Sequence, residues 1–133
     1  MKVTRFITTA GLMAVRARIW SERTFRDLTL IIDTGSTETL ILPEILDELG
    51  YSAREGESIT VIRSAVSEER GYLIRVPRFR ALGYEVCDFA VHAHDLPEGF
   101  GIDGLLGLSF LGRLNYEVRS VEQRILTERA EGA

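Results

Sequence analysis

A buried-strand segment that ends in Asp-Thr-Gly-Ser constrains this chain more than any other feature. Residues 28–32 are mostly apolar and lead directly into Asp33, Thr34, Gly35 and Ser36. A carboxylate at the end of a buried strand is costly unless its surroundings hold it for a purpose. We expect Gly35 to let the backbone bend beneath the carboxylate and Thr34 to fix the loop through its hydroxyl. Ser36 would hydrogen-bond the outer carboxylate oxygen, and all four are candidate catalytic residues.

The segment before this motif has the pattern of a β-hairpin. Alternate positions across residues 11–20 are uniformly apolar, so one face of the strand packs on a core. These positions are Met13, Val15, Ala17 and Ile19. Residues 21–23 predict the turn, and residues 24–32 predict the returning strand.

The rest of the chain predicts further short strands. A short helix is expected at residues 43–49, because Pro43 suits a first helical position and Gly50 suits a stop. The pattern predicts strands at residues 39–42, 58–65, 72–76, 78–80, 84–94, 114–119 and 123–127. Many short strands with one or two short helices indicate an all-β fold, either closed or sandwiched.

The composition describes one soluble globular domain, spanning residues 1–133. Of the 133 residues, 45% are apolar and 27% are charged, which is enough for one core. The formal net charge is −4, from 16 basic and 20 acidic residues, and no cluster of Lys and Arg could neutralise a run of phosphates. We therefore expect no nucleic-acid partner.

Cysteine content and hydropathy are evidence on the cellular compartment in which the protein is found. Cys87 is the only cysteine, so an internal disulfide is excluded, and we expect it to be a small buried residue on a strand. The sequence has no evident signal peptide and no apolar stretch of membrane-spanning length. These observations predict a cytoplasmic protein with no membrane partner.

The single Asp-Thr-Gly determines what chemistry one chain can support. Peptide hydrolysis by an activated water needs two carboxylates that share one proton, because like charges in near contact cannot both ionise. One carboxylate takes a proton from the water while the other, protonated, polarises the scissile carbonyl. The sequence holds one such motif. A two-fold homodimer would therefore supply the second Asp33.

These residues resemble the retropepsin-like aspartic peptidases, the single-domain enzymes of retroviruses and their bacterial and eukaryotic relatives. The resemblance runs from the hairpin at Gly11 to the last strand near Thr127. Its first signature is residues 31–37 (Ile-Ile-Asp-Thr-Gly-Ser-Thr), and its second is residues 102–111 (Ile-Asp-Gly-Leu-Leu-Gly-Leu-Ser-Phe-Leu). The resemblance implies a small closed β-barrel with one or two short helices and a two-fold homodimer.

The resemblance also implies several functional segments. The apolar-apolar-Gly segment Leu105, Leu106 and Gly107 would pack against the Asp-Thr-Gly loop. A hairpin flap near residues 62–72, with a tip at residues 67–71, would close over a bound peptide. Its candidate substrate-binding residues are Ile62, Arg63, Ser64, Ala65 and Val66. The terminal segments, near residues 3–8 and 123–127, would pair across the dimer. The implied partners are a second copy and a peptide or protein substrate, with no cofactor and no metal.

Other interpretations of the same residues remain. Asp33 could be an Asx-type turn, or the dimer could bind peptides with little or no cleavage. Residues 99–104 match the dinucleotide pattern GxGxxG, but a β-rich chain lacks the βαβ unit that this pattern needs. Asp103 followed by glycine favours a turn. His92 and His94, beside Asp95, lack a third ligand cluster for a metal site, so we expect solvent-facing histidines.

Overall fold

The computed structural model describes residues 1–52, 56, 59–63, 68–96 and 101–129, and strands dominate this part of the chain. The strands are β1 (Lys2–Arg5), β2 (Ile7–Thr9), β3 (Leu12–Trp20), β4 (Phe25–Ile32), β5 (Leu40–Ile41), β6 (Ile59–Arg63), β7 (Glu68–Ala81), β8 (Tyr84–Ala93), β9 (Gly104–Leu106), β10 (Leu114–Arg119) and β11 (Arg124–Arg129). The helices are α1 (Pro43–Glu48) and α2 (Leu108–Leu111). The prediction of a mainly-β chain with short helices is confirmed.

Six of these strands close into a barrel, as predicted. Their order is β3-β4-β9-β5-β8-β7, and β7 pairs back onto β3, where Ala17 lies opposite Ala81. Closure pairs the strand edges that would otherwise be open to another chain. Strands β2 and β6 extend the same sheet beyond the barrel.

The barrel encloses a core that also fixes the helix α2. Alternate side chains of β3 point inward, with Val15, Ala17 and Ile19 all buried. Three aromatic rings pack together in this core, with centroid separations of 4.9, 5.5 and 6.0 Å. They belong to Phe79, Phe89 and Phe110. Full burial of such a side chain contributes about 1.5–3 kcal/mol, so Phe110 holds α2 firmly against the barrel.

Strand β1 and the hairpin of β10 and β11 form a second, three-stranded sheet. Its order is β1-β11-β10, with Val3 opposite Leu126 and Tyr116 opposite Thr127. The terminal segments were expected to pair across a dimer, but β1 pairs with β11 of the same chain. The hydroxyl of the fully buried Thr127 donates to the carbonyl of Leu82, which joins this sheet to the barrel.

Strand β7 is longer than the sequence pattern predicts. Residues 68–70 lie in β7 and pair with β6, and the strand continues without interruption to Ala81. The prediction of a flap tip at residues 67–71 is therefore wrong for residues 68–71, because they pair with β6 as part of a strand, and residue 67 lies outside the described residues. The separate strand predicted at residues 78–80 is the end of β7.

Cys87 on β8 is exposed, so the prediction of a buried cysteine is wrong. Its neighbour Asp88 has a positive φ of 51°, which interrupts the alternation of β8 and leaves both residues outside while Val86 and Phe89 are buried.

Within the described ranges, no helix has the length and apolar character needed to cross a bilayer.

Candidate active site

Asp33 lies directly after β4, where two strands that are distant in sequence run side by side. Strand β4 is parallel to β9, with Ile32 opposite Leu106. The N–H of Asp33 donates to the carbonyl of Leu106 at 3.0 Å, so the pairing extends one residue beyond the strand. The residue is half-buried. Its backbone is thus fixed by the barrel while its side chain can reach the surface.

The carboxylate of Asp33 is oriented by its own loop. The N–H of Gly35 donates to Oδ1 of Asp33 at 3.0 Å, and the N–H of Ser36 donates to the carbonyl of Asp33 at 3.2 Å. A Cβ on residue 35 would lie 3.2 Å from the same Oδ1, a crowded distance. The small residue expected at this position therefore lets the backbone approach the carboxylate and bind it.

Thr34 and Ser36 do not make the hydrogen bonds that the sequence predicts for them. Ser36 donates its hydroxyl to the carbonyl of Glu38 at 2.8 Å rather than to the carboxylate of Asp33. The donor to Oδ1 is instead the backbone N–H of Gly35. Because every residue except proline carries a backbone N–H, the sequence alone could not identify this donor. Thr34 is exposed at the apex of the loop.

The segment 105–107 packs against the Asp-Thr-Gly loop, as the resemblance implies. The N–H of Leu108 donates to the carbonyl of Ser36 at 2.8 Å, and the N–H of Ser109 donates to the carbonyl of Thr37 at 2.9 Å. A Cβ on Gly107 would lie 2.1 Å from the carbonyl oxygen of Glu38. Any larger residue at position 107 would therefore force the two segments apart.

A pair of hydroxyls beneath the loop was not identified from the sequence. Thr39 is fully buried, and its Oγ1 lies 2.9 Å from Oγ of Ser109. The same Oγ1 accepts a hydrogen bond from the N–H of Gly107 at 3.3 Å. Thr39 therefore joins the loop to the start of α2. The only sequence signal for the burial of Thr39 was its position two residues before Ile41 in a predicted buried strand.

His92 and His94 are not solvent-facing, which corrects the prediction. His94 is buried, and the side chain of His92 is 13% exposed. Nε2 of His92 lies 3.1 Å from Oε2 of Glu38, and the two imidazole rings stack at 6.4 Å. This face of β8 is covered by the loop that carries Glu38 and by the backbone of Gly71, where a Cβ would lie 2.7 Å from Nε2 of His94. Glu38 is thus held at both its backbone and its side chain.

Asp103 has a structural role, but the prediction of a turn here is wrong, because Gly104 begins β9 and pairs with Leu30 of β4. Its Oδ2 accepts a hydrogen bond from the N–H of Thr29 at 2.8 Å, and its own N–H donates to the carbonyl of Thr29 at 2.8 Å. The carbonyl of Asp103 also accepts a bond from the N–H of Leu42 at 3.0 Å. This carboxylate therefore fixes the register between β4 and β9.

The candidate flap residues fall partly within the described ranges. Ile62 and Arg63 lie in β6, opposite Glu69 and Glu68 of β7. Ser64, Ala65 and Val66 lie outside the described residues, and the substrate-binding role of all five stays a prediction. Among the residues that the structure describes, no group of three or more His, Cys, Asp or Glu side chains could hold a metal ion.

Comparison with known proteins supports the same fold. The sequence model of the aspartyl protease family matches residues 15–110. A retropepsin-like aspartic protease from Rickettsia conorii superposes with a TM-score of 0.68 and 19% identity, covering 96% of this chain and 90% of that one. The retroviral protease-like domain of Ddi1 from Leishmania major superposes with a TM-score of 0.56 and 12% identity, covering 96% and 100%. No curated protein sequence matches the chain. At these identities the two structures show that the fold is retropepsin-like.

Proposed function

The chain belongs to the aspartyl protease family, and from that premise we propose that it is an aspartic endopeptidase whose active site contains Asp33 from each of two copies. The observation that carries this proposal is the state of the Asp33 carboxylate. Oδ1 is held by the N–H of Gly35, and no described residue donates a hydrogen bond to Oδ2. The acid is therefore oriented but still available for chemistry.

The neighbouring carboxylates support the need for a second copy. Asp103 binds the backbone of Thr29, and Glu38 binds His92, so both are engaged in holding the barrel together. Among the residues that the structure describes, a single chain thus offers one available acid at this site. The exposed residues Thr34 and Gly35 form the surface beside it, where a symmetry-related loop could approach.

The dimer would work by dividing two roles between identical groups. When two Asp33 carboxylates lie close together, the pair holds one proton, because both cannot be charged at that distance. The charged member removes a proton from a water molecule, and the water oxygen attacks the scissile carbonyl carbon. The protonated member donates its proton to the carbonyl oxygen. When the tetrahedral intermediate collapses, the C–N bond breaks as the nitrogen takes up the proton that the first carboxylate removed from water, and a hydroxyl of the intermediate returns a proton to the second carboxylate.

Other residues would position this pair and the substrate. Ser36 holds the loop through its hydrogen bond to Glu38, and Leu105, Leu106 and Gly107 support it from the barrel, while the exposed Thr34 would position the pair from the dimer side. The hairpin formed by β6 and β7 would act as a flap, with residues 62–66 contacting the peptide. A closed flap excludes water and strengthens the electrostatic interactions within the site.

The first experiment measures cleavage of an unfolded protein substrate at mildly acidic pH. Asp33→Asn should lower the rate by about 10²–10⁴-fold, because neither acid nor base is left at the pair. Asp88→Asn is a matched control, since Asp88 is exposed and asparagine tolerates its positive φ. Its rate should equal that of the wild type. Cleavage that survives Asp33→Asn would remove Asp33 from the mechanism.

The same experiment distinguishes the second candidate function. A dimeric peptide-binding module would show no cleavage by the wild type across a broad pH range, while still binding peptides in a way that Asp33→Asn leaves intact. Such a result would retain the fold and the dimer but reject the hydrolytic role.

A further inference from the structure

A basic surface on the outside of the barrel lies apart from the Asp33 loop. We call it the arginine face and define it as Arg16, Arg18, Arg78 and Arg80 around Trp20. Arg18 is opposite Asp27 on β4 and opposite Arg80 on β7, so the surface spans three strands. Asp27 precedes Asp33 by six positions, and strands rise about 3.3 Å per residue, which puts the arginine face about 20 Å from the catalytic loop.

Positive charge exceeds negative charge on this surface. Arg18 donates to both oxygens of Asp27, at 2.7 and 3.3 Å, and Arg78 donates to Glu85 at 2.9 Å. Asp27 is also the nearest carboxylate to Arg16, at 3.9 Å, although the Arg16 side chain is 78% exposed. Four guanidinium groups therefore share two carboxylates, on a chain whose formal net charge is −4. The chain as a whole is acidic, but this face is basic.

Arg80 has the least compensation of the four. Within the described part of the chain it forms no ion pair with a carboxylate, and it lies between Arg18 on β3 and Glu85 on β8, whose carboxylate Arg78 already binds. Like charges that face each other across neighbouring strands destabilise a sheet. The Arg18 hydrogen bond, together with the charges of Arg16 and Arg80, holds the pKa of Asp27 below its usual range. Asp27 is thus charged near neutral pH and is shared by more cations than it can bind.

Aromatic rings hold these guanidinium groups in place. The guanidinium carbons of Arg78, Arg80 and Arg18 lie 4.2, 5.6 and 5.8 Å from the centre of the Trp20 ring. Arg18 also lies 4.0 Å from the centre of the Phe25 ring. A stacked guanidinium keeps the N–H groups at its edge free to donate. Stacking therefore pre-organises donors for an incoming acceptor.

A groove gives this donor set a place for a ligand. A cavity of about 340 Å³ has Arg16, Arg18, Arg80 and Asp27 among its lining residues. We propose that the groove on the arginine face binds a carboxylate-rich segment of a partner or substrate protein. Carboxylates fit the paired N–H groups of arginine and would bridge Arg16, whose contact with Asp27 is 3.9 Å long, and Arg80, which forms no ion pair among the described residues.

The same contacts argue against a nucleic acid as the ligand. Proteins that bind single strands present open aromatic faces on which bases stack. Here guanidinium groups already lie over Trp20 and Phe25. An extended acidic peptide needs only the free N–H edges of the arginines. The surface is independent of the proposed cleavage chemistry, so either inference can fail without the other.

The test uses Trp20 as a built-in probe, because it is the only tryptophan in the chain. The wild-type protein is titrated at pH 7 with a short blocked peptide of alternating Glu and Gly, and Trp20 emission is recorded. We expect a saturable change that weakens as salt is raised, because ions screen exposed charges beyond about 10 Å at 0.1 M. The corresponding Lys-Gly peptide should produce no such change.

Two matched variants assign the binding to this surface. Arg80→Gln should weaken the Glu-Gly peptide about fivefold, as expected for one exposed arginine–carboxylate contact. Arg113→Gln removes the same charge from an exposed residue on the Asp33 side of the barrel, where Arg113 donates to the carbonyl of Ser109, and it should leave the affinity unchanged. Absence of saturable binding, equal weakening by both variants, or tighter binding of a short oligothymidylate would overturn the proposal.

Discussion

Thr39 carries more of the site than its place in the sequence indicates. Its Oγ1 contacts Oγ of Ser109, 70 residues further along the chain, and the N–H of Gly107. Both contacts join segments that only the folded barrel brings together. The residue is therefore a fixed point beneath the Asp33 loop, although it has no part in the chemistry.

Replacement of Thr39 by valine tests this contact. Thr39→Val keeps the side-chain shape but leaves the N–H of Gly107 without its acceptor in a buried place. We expect the free energy of unfolding to fall by about 1–3 kcal/mol, the usual effect of a buried unsatisfied group. Urea unfolding measures this change. Ser109→Ala, which removes only the partly exposed partner, should cost less, and an equal or larger loss would contradict the assignment.

At the residue scale, the sequence predicted the close approach of Gly35 to Asp33 but not the other contacts of the loop. The approach could be predicted because a carboxylate after a buried strand is unusual and a small neighbour is needed, whereas the catalytic role of Asp33 stays a prediction. The partner of Ser36 could not be predicted, since its hydroxyl reaches several acceptors and only the loop conformation selects Glu38. The burial of His92 was missed because polar residues on a strand suggest an exposed face, whereas this face is covered by another loop.

At the element scale, the hairpin of β10 and β11 is joined by an ion-pair network. Glu122 accepts hydrogen bonds from Arg119 and Arg124, including Nη2 of Arg119 at 2.8 Å and Nη2 of Arg124 at 2.6 Å. These bonds lower the pKa of Glu122 to about 2, with Arg119 the larger cause. The ordinary value is 4.5. The carboxylate therefore stays charged at the mildly acidic pH where an aspartic pair works.

The pH dependence of this network has a definite sign. Because the pKa of Glu122 is lower in the folded state, its contribution is complete above about 4.5 and is lost as pH falls through about 2. Urea midpoints of the wild type and Glu122→Gln should differ by a constant amount from pH 7 to 5. The difference should then shrink and vanish near pH 2. A difference that persists unchanged at pH 2 would contradict the role of this charge.

How well each element could be predicted depended on the range of its contacts. Strands β3 and β4 were predicted nearly to the residue, because their alternation and tight turn are local signals. Strand β7 was predicted too short, since its polar residues 68–70 have the composition of a loop and become strand only by pairing with β6. The parallel pairing of β4 with β9 joins residues more than 70 positions apart. No local signal could specify it, and the resemblance to a family implied only that residues 105–107 pack against the Asp-Thr-Gly loop.

At the scale of the whole molecule, the proposed dimer must cover the surface beside Asp33. Leu108 lies directly after the segment that supports the loop, and it is a large apolar residue that is 39% exposed. Together with the exposed Thr34 and Gly35, it forms a surface that a second copy would bury. An isolated chain leaves this surface in water, where apolar area is unfavourable.

A charged residue at position 108 should weaken the dimer. Leu108→Glu places a charge in the proposed contact, and we expect the dimer dissociation constant to rise about tenfold or more, equivalent to about 1.4 kcal/mol. Sedimentation across a concentration series measures it. Phe25→Glu is the matched control, because Phe25 is 49% exposed at the opposite end of β4 and should leave association unchanged. Equal effects of both variants would place the contact elsewhere.

The most direct test mixes wild-type chains with Asp33→Asn chains, refolds them together and measures peptide cleavage at constant total protein. If each active site needs an aspartate from both copies, activity follows the square of the wild-type fraction, and an equal mixture retains about one quarter of full activity. A linear decline, with about one half of full activity in the equal mixture, would mean that each Asp33 works alone and would contradict the shared site.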